Sequence, residues 1–370
     1  MGTPFQIDQT RFSAALTLAA TVANHRSTMP VLANVLIRAE NEGEGQLVFS
    51  ATDMMISITE HMPAKVAKPG SLTIGVRHLL GVVKTLPGGD VSVKALDNHW
   101  ARIDAARSEF RLMGMPEADF PELPDPKSAT FTSIPAHLLA DLIQKTLFSV
   151  STDEARVNLN GALFESDGKQ GTMVSTDGHR LTKFTVPLAG PKFDTGIIVP
   201  RKGMMELRRV LDRVEGDCEI AVGEQHLFVR ANGVLLSVKL NSVAFPPYQQ
   251  VIPGEFQRSV DLGRDELLAA LKRAEVMAPE KTATVRLELS EGNLKFTADN
   301  PDLGVAHQDL PVDYDAEGFV AGFNATYLIA AAEACDGDKV RLEFQGELDP
   351  CVIRPVDGPD FLAVVMPMRI

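Results

Sequence analysis

The chain has 370 residues, 23% of them charged, a formal net charge of −13 and a sequence pI of about 5.1. Its length suits two or three domains, and its 45% apolar content excludes disordered, collagenous and membrane-embedded classes. An excess of acidic over basic residues, 49 against 36, argues against a protein that grips nucleic acid through bulk charge. Three cysteines, Cys218, Cys335 and Cys351, form no C-x-x-C pair. They point away from a disulfide framework or zinc site and toward a reducing, cytoplasmic setting.

The first apolar stretch, Phe12–Ala23, is too short to span a bilayer and lacks a basic leader. It reads as part of an amphipathic helix over Asp8–Asn24. A hairpin follows, Val31–Arg38 then Glu44–Asp53. A second helix spans Arg77–Leu86, and a last strand-like run is Phe110–Met113. The same order then returns. It runs from a helix over Pro135–Ser151 to a hairpin of Val157–Phe164 and Thr172–Asp177. A helix over Arg201–Arg213 and the run Leu235–Lys239 complete it. It returns a third time, with a helix over Gly263–Ala278 and a hairpin over Thr284–Asp299. A helix over Asn324–Cys335 and the run Phe361–Met366 close that copy.

Each hairpin alternates apolar and polar residues around a turn, the pattern of a sheet with one buried face. Asp53, Asp177 and Asp299 stand 124 and 122 residues apart. That period is too long for a solenoid unit and suits a whole domain. The chain therefore reads as three homologous α+β domains. Pro121–Pro126 and Val251–Glu255 mark the boundaries, giving domains 1–125, 126–254 and 255–370. Three copies in a row suggest a curved array of antiparallel sheet with one helical surface, which dimerisation can close.

Phosphate loops, dinucleotide fingerprints, zincin motifs and nucleophile elbows are absent from the sequence, and the eight histidines lack metal-ligand spacing. Ser175-Thr-Asp177-Gly-His179-Arg180 superficially resembles hydrolytic machinery. The plainer reading is a strand end whose Asp bonds to turn amides. The C-terminus, Phe361–Ile370, is apolar almost to its last residue. It fits a buried final strand, or a groove whose Met-Pro-Met wall adapts to a bound peptide. The six expected helices carry a net charge of +4, against −13 for the whole chain. A mildly basic helical face thus sits on an acidic body.

Together, Ser175–Leu181, Val199-Pro-Arg-Lys-Gly203, Phe245-Pro-Pro-Tyr248 and Val364-Val-Met-Pro-Met-Arg369 resemble the bacterial DNA polymerase III beta-subunit, or sliding-clamp, family, over essentially the whole chain. The resemblance implies a homodimeric ring around duplex DNA, with sheets outside and two helices per domain lining the hole. Such a ring is a processivity factor with no catalytic residues, metal or cofactor. Its expected partners are the replicative polymerase, the clamp loader, repair polymerases and mismatch-repair proteins, each bound through a short peptide. The family's peptide pocket maps onto Arg156, Leu159, Thr176, Gly178, His179, Arg180, Leu181, Pro246, Val251, Asn324, Tyr327, Val364, Val365, Met366, Pro367 and Met368. Arg26, Arg77, Lys202 and Arg209 match DNA-facing positions. Phe110 matches one side of the dimer contact, and Val276 with Met277 the other. Gln249-Gln250 and Pro350 depart from common family residues and bear on peptide preference. The loop Asp153–Asn158 lacks the aromatics that some members place near DNA.

Overall fold

The structure, a computed structural model, describes residues 4–41, 45–193 and 195–369. Glu44, where the second run of the first hairpin was expected to begin, and the terminal Ile370 lie outside the described residues. Six helices form where apolar residues recur at helical spacing: α1 Gln9–Val22, α2 Val76–Thr85, α3 Ala136–Leu147, α4 Arg201–Leu211, α5 Arg264–Glu275 and α6 Ala325–Ala334. Each matches an expected helix to within a few residues. Asp8 caps α1 by accepting from the amides of Thr10 and Arg11 at 3.0 and 3.1 Å, which is why the helix starts one residue later than expected.

Contacts divide the chain into two compact units. The first holds residues 1–137 and 205–240. It contains a five-stranded sheet ending in the edge strand Ser108–Met113, and an eight-stranded sheet. In the eight-stranded sheet Ile56–Pro63 pairs antiparallel with Val234–Lys239, joining strands of the first and second sequence copies. Its core includes Phe12, set 6.5 Å from Phe5 and 5.9 Å from Phe49 between ring centres.

The second unit holds residues 138–204 and 241–370. Its eight-stranded sheet joins the second and third copies through antiparallel pairing of Arg180–Pro187 with Asp360–Val365. Its four-stranded sheet ends in the edge strand Gly304–Pro311. The middle copy is shared between the units because each long sheet takes strands from two copies.

Three local expectations need correction. Val31 begins no strand. Pro30–Ala33 form a 3-10 turn, with Pro30 at its first position, where its missing N–H costs nothing. Val157–Asn160 are likewise not strand. Both Leu159 and Asn160 donate backbone bonds to the Arg156 carbonyl, at 2.8 and 2.9 Å, and the strand starts at Gly161. In the third copy the residue equivalent to Asp53 and Asp177 is Asn300, not Asp299. Phe296 and Ala298 are fully buried, so Asp299 points to the other face. Asn300 Oδ1 accepts from the Asp302 amide at 3.1 Å, two residues on, as Asp53 does from Met55 at 2.9 Å.

Candidate functional site

The turn of the middle copy is built by Asp177. Its Oδ1 accepts from the amides of His179 and Arg180 at 2.9 and 3.1 Å, and its Oδ2 takes the Arg180 guanidinium at 2.9 Å. Gly178 supplies φ +90°, a conformation that favours glycine. Thr176 Oγ1 closes the turn, donating to the Arg180 carbonyl at 2.6 Å and accepting from the Gly178 amide at 3.0 Å. Arg156 reaches the Asp177 carbonyl at 3.3 Å.

A hydrolytic reading of this turn fails on the geometry. Ser175 is fully buried; its hydroxyl donates to the Thr146 carbonyl at 2.6 Å and lies 2.5 Å from Ser149 Oγ. The Asp177 carboxylate is spent on the turn, while His179 is exposed.

The C-terminal strand docks against this turn. Leu181 pairs with Val364 and Arg180 with Val365. Beyond the strand, the Met366 amide donates to the His179 carbonyl at 2.9 Å, and the Met368 amide to the Gly322 carbonyl at 2.8 Å. The reading of the tail as a buried final strand therefore holds up to Val365, and the residues after it lie nearer the surface. Phe361–Val365 are buried, while Met366 is 36% exposed and Pro367 and Met368 are half-buried.

Leu181 and Val364 form one apolar cluster with Val174, Tyr248, Val352 and Leu362, against which Leu163, Phe245, Ile252 and Phe256 pack. Above it runs the loop Phe245–Ile252, bearing Pro246 half-buried and Val251 exposed. Tyr248 is that loop's anchor. It is buried and donates to Glu165 Oε2 at 2.9 Å. Burial, then the Glu165 bond, push its phenol up to about 12, so it stays a donor throughout the neutral range. Arg180 and Val365 lie on the opposite sheet face from Leu181 and Val364. There the Arg180 guanidinium sits 4.4 Å from the Tyr327 ring centre and 5.5 Å from that of Phe148. Asn324 caps α6, accepting from the Tyr327 amide at 3.1 Å, which holds that ring in place. Leu159 is half-buried, and its carbonyl accepts from the Ser151 amide at 3.0 Å.

All the pocket candidates therefore lie in the second unit. Sequence reasoning missed the support beneath them: Tyr248, Glu165, Val174, Val352 and Leu362. The alternation of the strands and the Phe-Pro-Pro-Tyr run carried that signal.

The first unit contains the same joint with a different floor. Asp53 caps the turn there, and the Lys239 amide donates to the Met55 carbonyl at 2.8 Å, as Met366 does to His179. Where the second joint has Val174, Leu181 and Val364, the first has Ser50, Ser57 and Ser237, all buried. An apolar peptide finds no greasy floor there. A separate cavity of about 600 Å³ opens at the far end of the Arg180–Pro187 and Asp360–Val365 strand pair. Lined by Leu138, Asp141, Lys145 and Asp336 among others, it contains none of the candidate residues.

Of the expected DNA-facing residues, Arg26, Arg77 and Arg209 are exposed in the first unit and Lys202 in the second. Arg209 is steadied by the buried Glu206 at 3.0 Å. Burial, with Arg77 and His78 nearby, lowers the His25 pKa. Of the expected dimer residues, Phe110 is half-buried in the edge strand Ser108–Met113. Val276 is 73% exposed at the end of α5. Met277 reaches within 3.5 Å of a Cβ position on Gly304, the start of the other edge strand. Among the described residues no cluster of His, Cys, Asp and Glu could hold a metal ion.

Three family models match in tandem. The N-terminal domain of the DNA polymerase III beta subunit matches residues 3–124, its central domain 133–247 and its C-terminal domain 249–369. The beta sliding clamp of Vibrio cholerae is 31% identical over 99% of this chain and 100% of its own. That of Escherichia coli K12 is 32% identical over 93% of this chain and 94% of its own. A crystal structure of a Pseudomonas aeruginosa sliding clamp bound to griselimycin superposes with a TM-score of 0.94 at 32% identity, covering 100% of both chains.

Proposed function

The chain belongs to the bacterial DNA polymerase III beta-subunit, or beta sliding clamp, family, and from that premise we propose that it encircles duplex DNA as a homodimeric ring and tethers a DNA polymerase to its template. The family is a processivity subunit that catalyses no reaction of its own. The proposed domains run 1–125, 126–254 and 255–370.

The observation that carries the partner-binding half is the apolar floor of Leu181, Val364 and Val174 beneath a turn and tail that are hydrogen-bonded into shape. A floor of that kind with a polar rim is the form of a peptide hot spot. It occurs at one of two otherwise equivalent joints, so each protomer offers one such site. We assign to it the pocket residues from Arg156 to Met368 named above. Its ligands are short peptides with apolar anchors, borne by the replicative polymerase, the clamp loader, repair polymerases and mismatch-repair proteins.

Two free sheet edges, Ser108–Met113 and Gly304–Pro311, support closure by a second copy, because long unpaired edges invite pairing. Phe110 on one protomer and Val276 with Met277 on the other are the proposed contacts. Arg26, Arg77, Lys202 and Arg209 face the DNA backbone. A ring holds DNA by topology, so a few sequence-independent phosphate contacts suffice and leave it free to slide. No described helix is long and apolar enough to cross a membrane, and the proposed location is the cytoplasm, on the nucleoid.

The test is primer extension with a cognate polymerase, clamp loader and ATP. Added protein should lengthen the products of single binding events many-fold, and Leu181→Asp should remove the effect. Products of unchanged length would refute the proposal.

A further inference from the structure

The cavity of about 600 Å³ at the far end of the Arg180–Pro187 and Asp360–Val365 strand pair belongs wholly to the second unit. Its floor is the buried Phe184, with Leu138 and Val186 beside it. Its walls carry three carboxylates, Asp141, Asp336 and Asp360, against one ammonium, Lys145. That ammonium is already committed. It donates to the Ala334 carbonyl at 2.6 Å and to Asp336 Oδ1 at 2.5 Å. Asp360 shares Lys183 at 3.4 Å. Asp141, half-buried on α3, makes no hydrogen bond or ion pair with any described residue.

The internal repeat shows what such a place can hold. In the first unit Glu60 stands where Phe184 stands, each seven residues past its turn Asp. Phe12, Ala15, Leu16 and Ala19 are buried in α1 as Leu139, Leu142, Ile143 and Thr146 are in α3, which puts Arg11 at the position of Leu138. Arg213 lies two residues past α4, as Asp336 does past α6. Arg213 and Arg11 both act on the Glu60 carboxylate, opposing the rise that burial gives its pKa. The first unit thus supplies its own guanidinium groups here. The second has Leu138 and Asp336 in their stead, and an open space with acidic walls.

We infer that this cavity is a docking site separate from the peptide pocket, and that it takes an arginine with an adjoining apolar side chain from an extended segment of a partner protein. The inference rests on neither the ring nor the peptide pocket. A guanidinium offers the fork that the unpaired Asp141 carboxylate accepts. Its plane stacks on the Phe184 ring, and its stem lies along Leu138. The volume is that of a site for a drug-sized ligand, which leaves room for the apolar neighbour. The excess of carboxylates over ammonium repels phosphates and acidic peptides.

The test exploits the burial of all three native cysteines. Gln170 is exposed on the cavity lining, so Gln170→Cys puts a single reactive thiol at the mouth. Ser290→Cys, exposed beside Glu291 in the same unit, measures the pull of an acidic surface alone. Each full chain is reacted with acetyl-Leu-Arg-Gly-Cys-amide carrying a thiopyridyl group on its sulfur, and with the same peptide bearing citrulline for arginine. The protein thiolate attacks the peptide sulfur, forms a mixed disulfide and expels pyridine-2-thione, whose absorbance gives the rate.

At Gln170→Cys the arginine peptide should react at least tenfold faster than the citrulline peptide, and at Ser290→Cys less than twofold faster. Glycine for leucine in the probe should slow the reaction at Gln170→Cys several-fold. Asp141→Asn should remove most of the arginine preference. So should Leu138→Arg, which installs the first unit's own cation; circular dichroism checks that both variants fold. Equal rates with the arginine and citrulline peptides, or the same preference at Ser290→Cys, would overturn the inference. An undiminished rate with the glycine probe would make the occupant a lone cation and overturn it as well.

Discussion

The Tyr248 phenol donates a 2.9 Å hydrogen bond to Glu165, tying its loop to the sheet beneath the candidate pocket. The loop bears Pro246 and Val251, and among the described residues its backbone makes short turn bonds such as Val251 to Tyr248 at 3.0 Å. Tyr248→Phe keeps the ring in the apolar cluster but frees the loop from the carboxylate. It should cost about 1 kcal/mol of stability and weaken peptide binding several-fold. Glu165→Gln, which keeps an acceptor oxygen, should retain most of the affinity. Fluorescence anisotropy with a labelled peptide reads both; equal losses in the two variants would contradict a positioning role.

The same pair sets an alkaline limit. The folded phenol, pushed up to about 12, holds its proton more tightly than a free tyrosine near 10. Between those values the folded state binds more protons than the unfolded one, so this contribution is intact below pH 10 and is lost as pH rises toward 12. The alkaline fall in stability should be shallower in Tyr248→Phe, as measured by denaturant titration at stepped pH.

Arg180 joins the middle turn to α6 through Asp177 and Tyr327. With its side chain only 17% exposed, the guanidinium satisfies the carboxylate and stacks on the ring at once. Arg180→Lys loses the planar fork and should cost about 1–2 kcal/mol. Tyr327→Phe should be mild and Tyr327→Leu should approach the Arg180 loss. A double-mutant cycle reads the coupling.

Among the described residues the tail makes two backbone bonds, Met366 to His179 and Met368 to Gly322, and none to the edge strands Ser108–Met113 and Gly304–Pro311. Deleting residues 366–370 should abolish peptide binding and leave the dimer intact by sedimentation. His179→Ala should weaken peptide binding only modestly and reveal no hydrolytic activity to lose.

Much of this was readable from the sequence, for identifiable reasons. The six helices were legible because each places its apolar residues at helical spacing. The Asp177 turn was legible because Asp before Gly favours that bonding. The mistaken equivalence of Asp299 arose because an identical residue type outranked face parity: Phe296 and Ala298 show which side is core only once the strand is laid down. Val157–Asn160 looked like a strand because alternation alone does not reveal two amides sharing the Arg156 carbonyl. The pocket floor stayed hidden because it is assembled across copies. Leu181 meets Val364 only after the last strand of the third copy pairs with a strand of the second, a pairing of residues 183 apart that no local pattern encodes.

The central claim is that the protein holds DNA by enclosing it. The direct measurement loads it onto nicked circular DNA with a cognate clamp loader and ATP, then follows retention by gel filtration in moderate salt before and after the circle is cut. Enclosure requires that it stay on the circle and leave promptly once the DNA is linear. Equal retention on circular and linear DNA would contradict it.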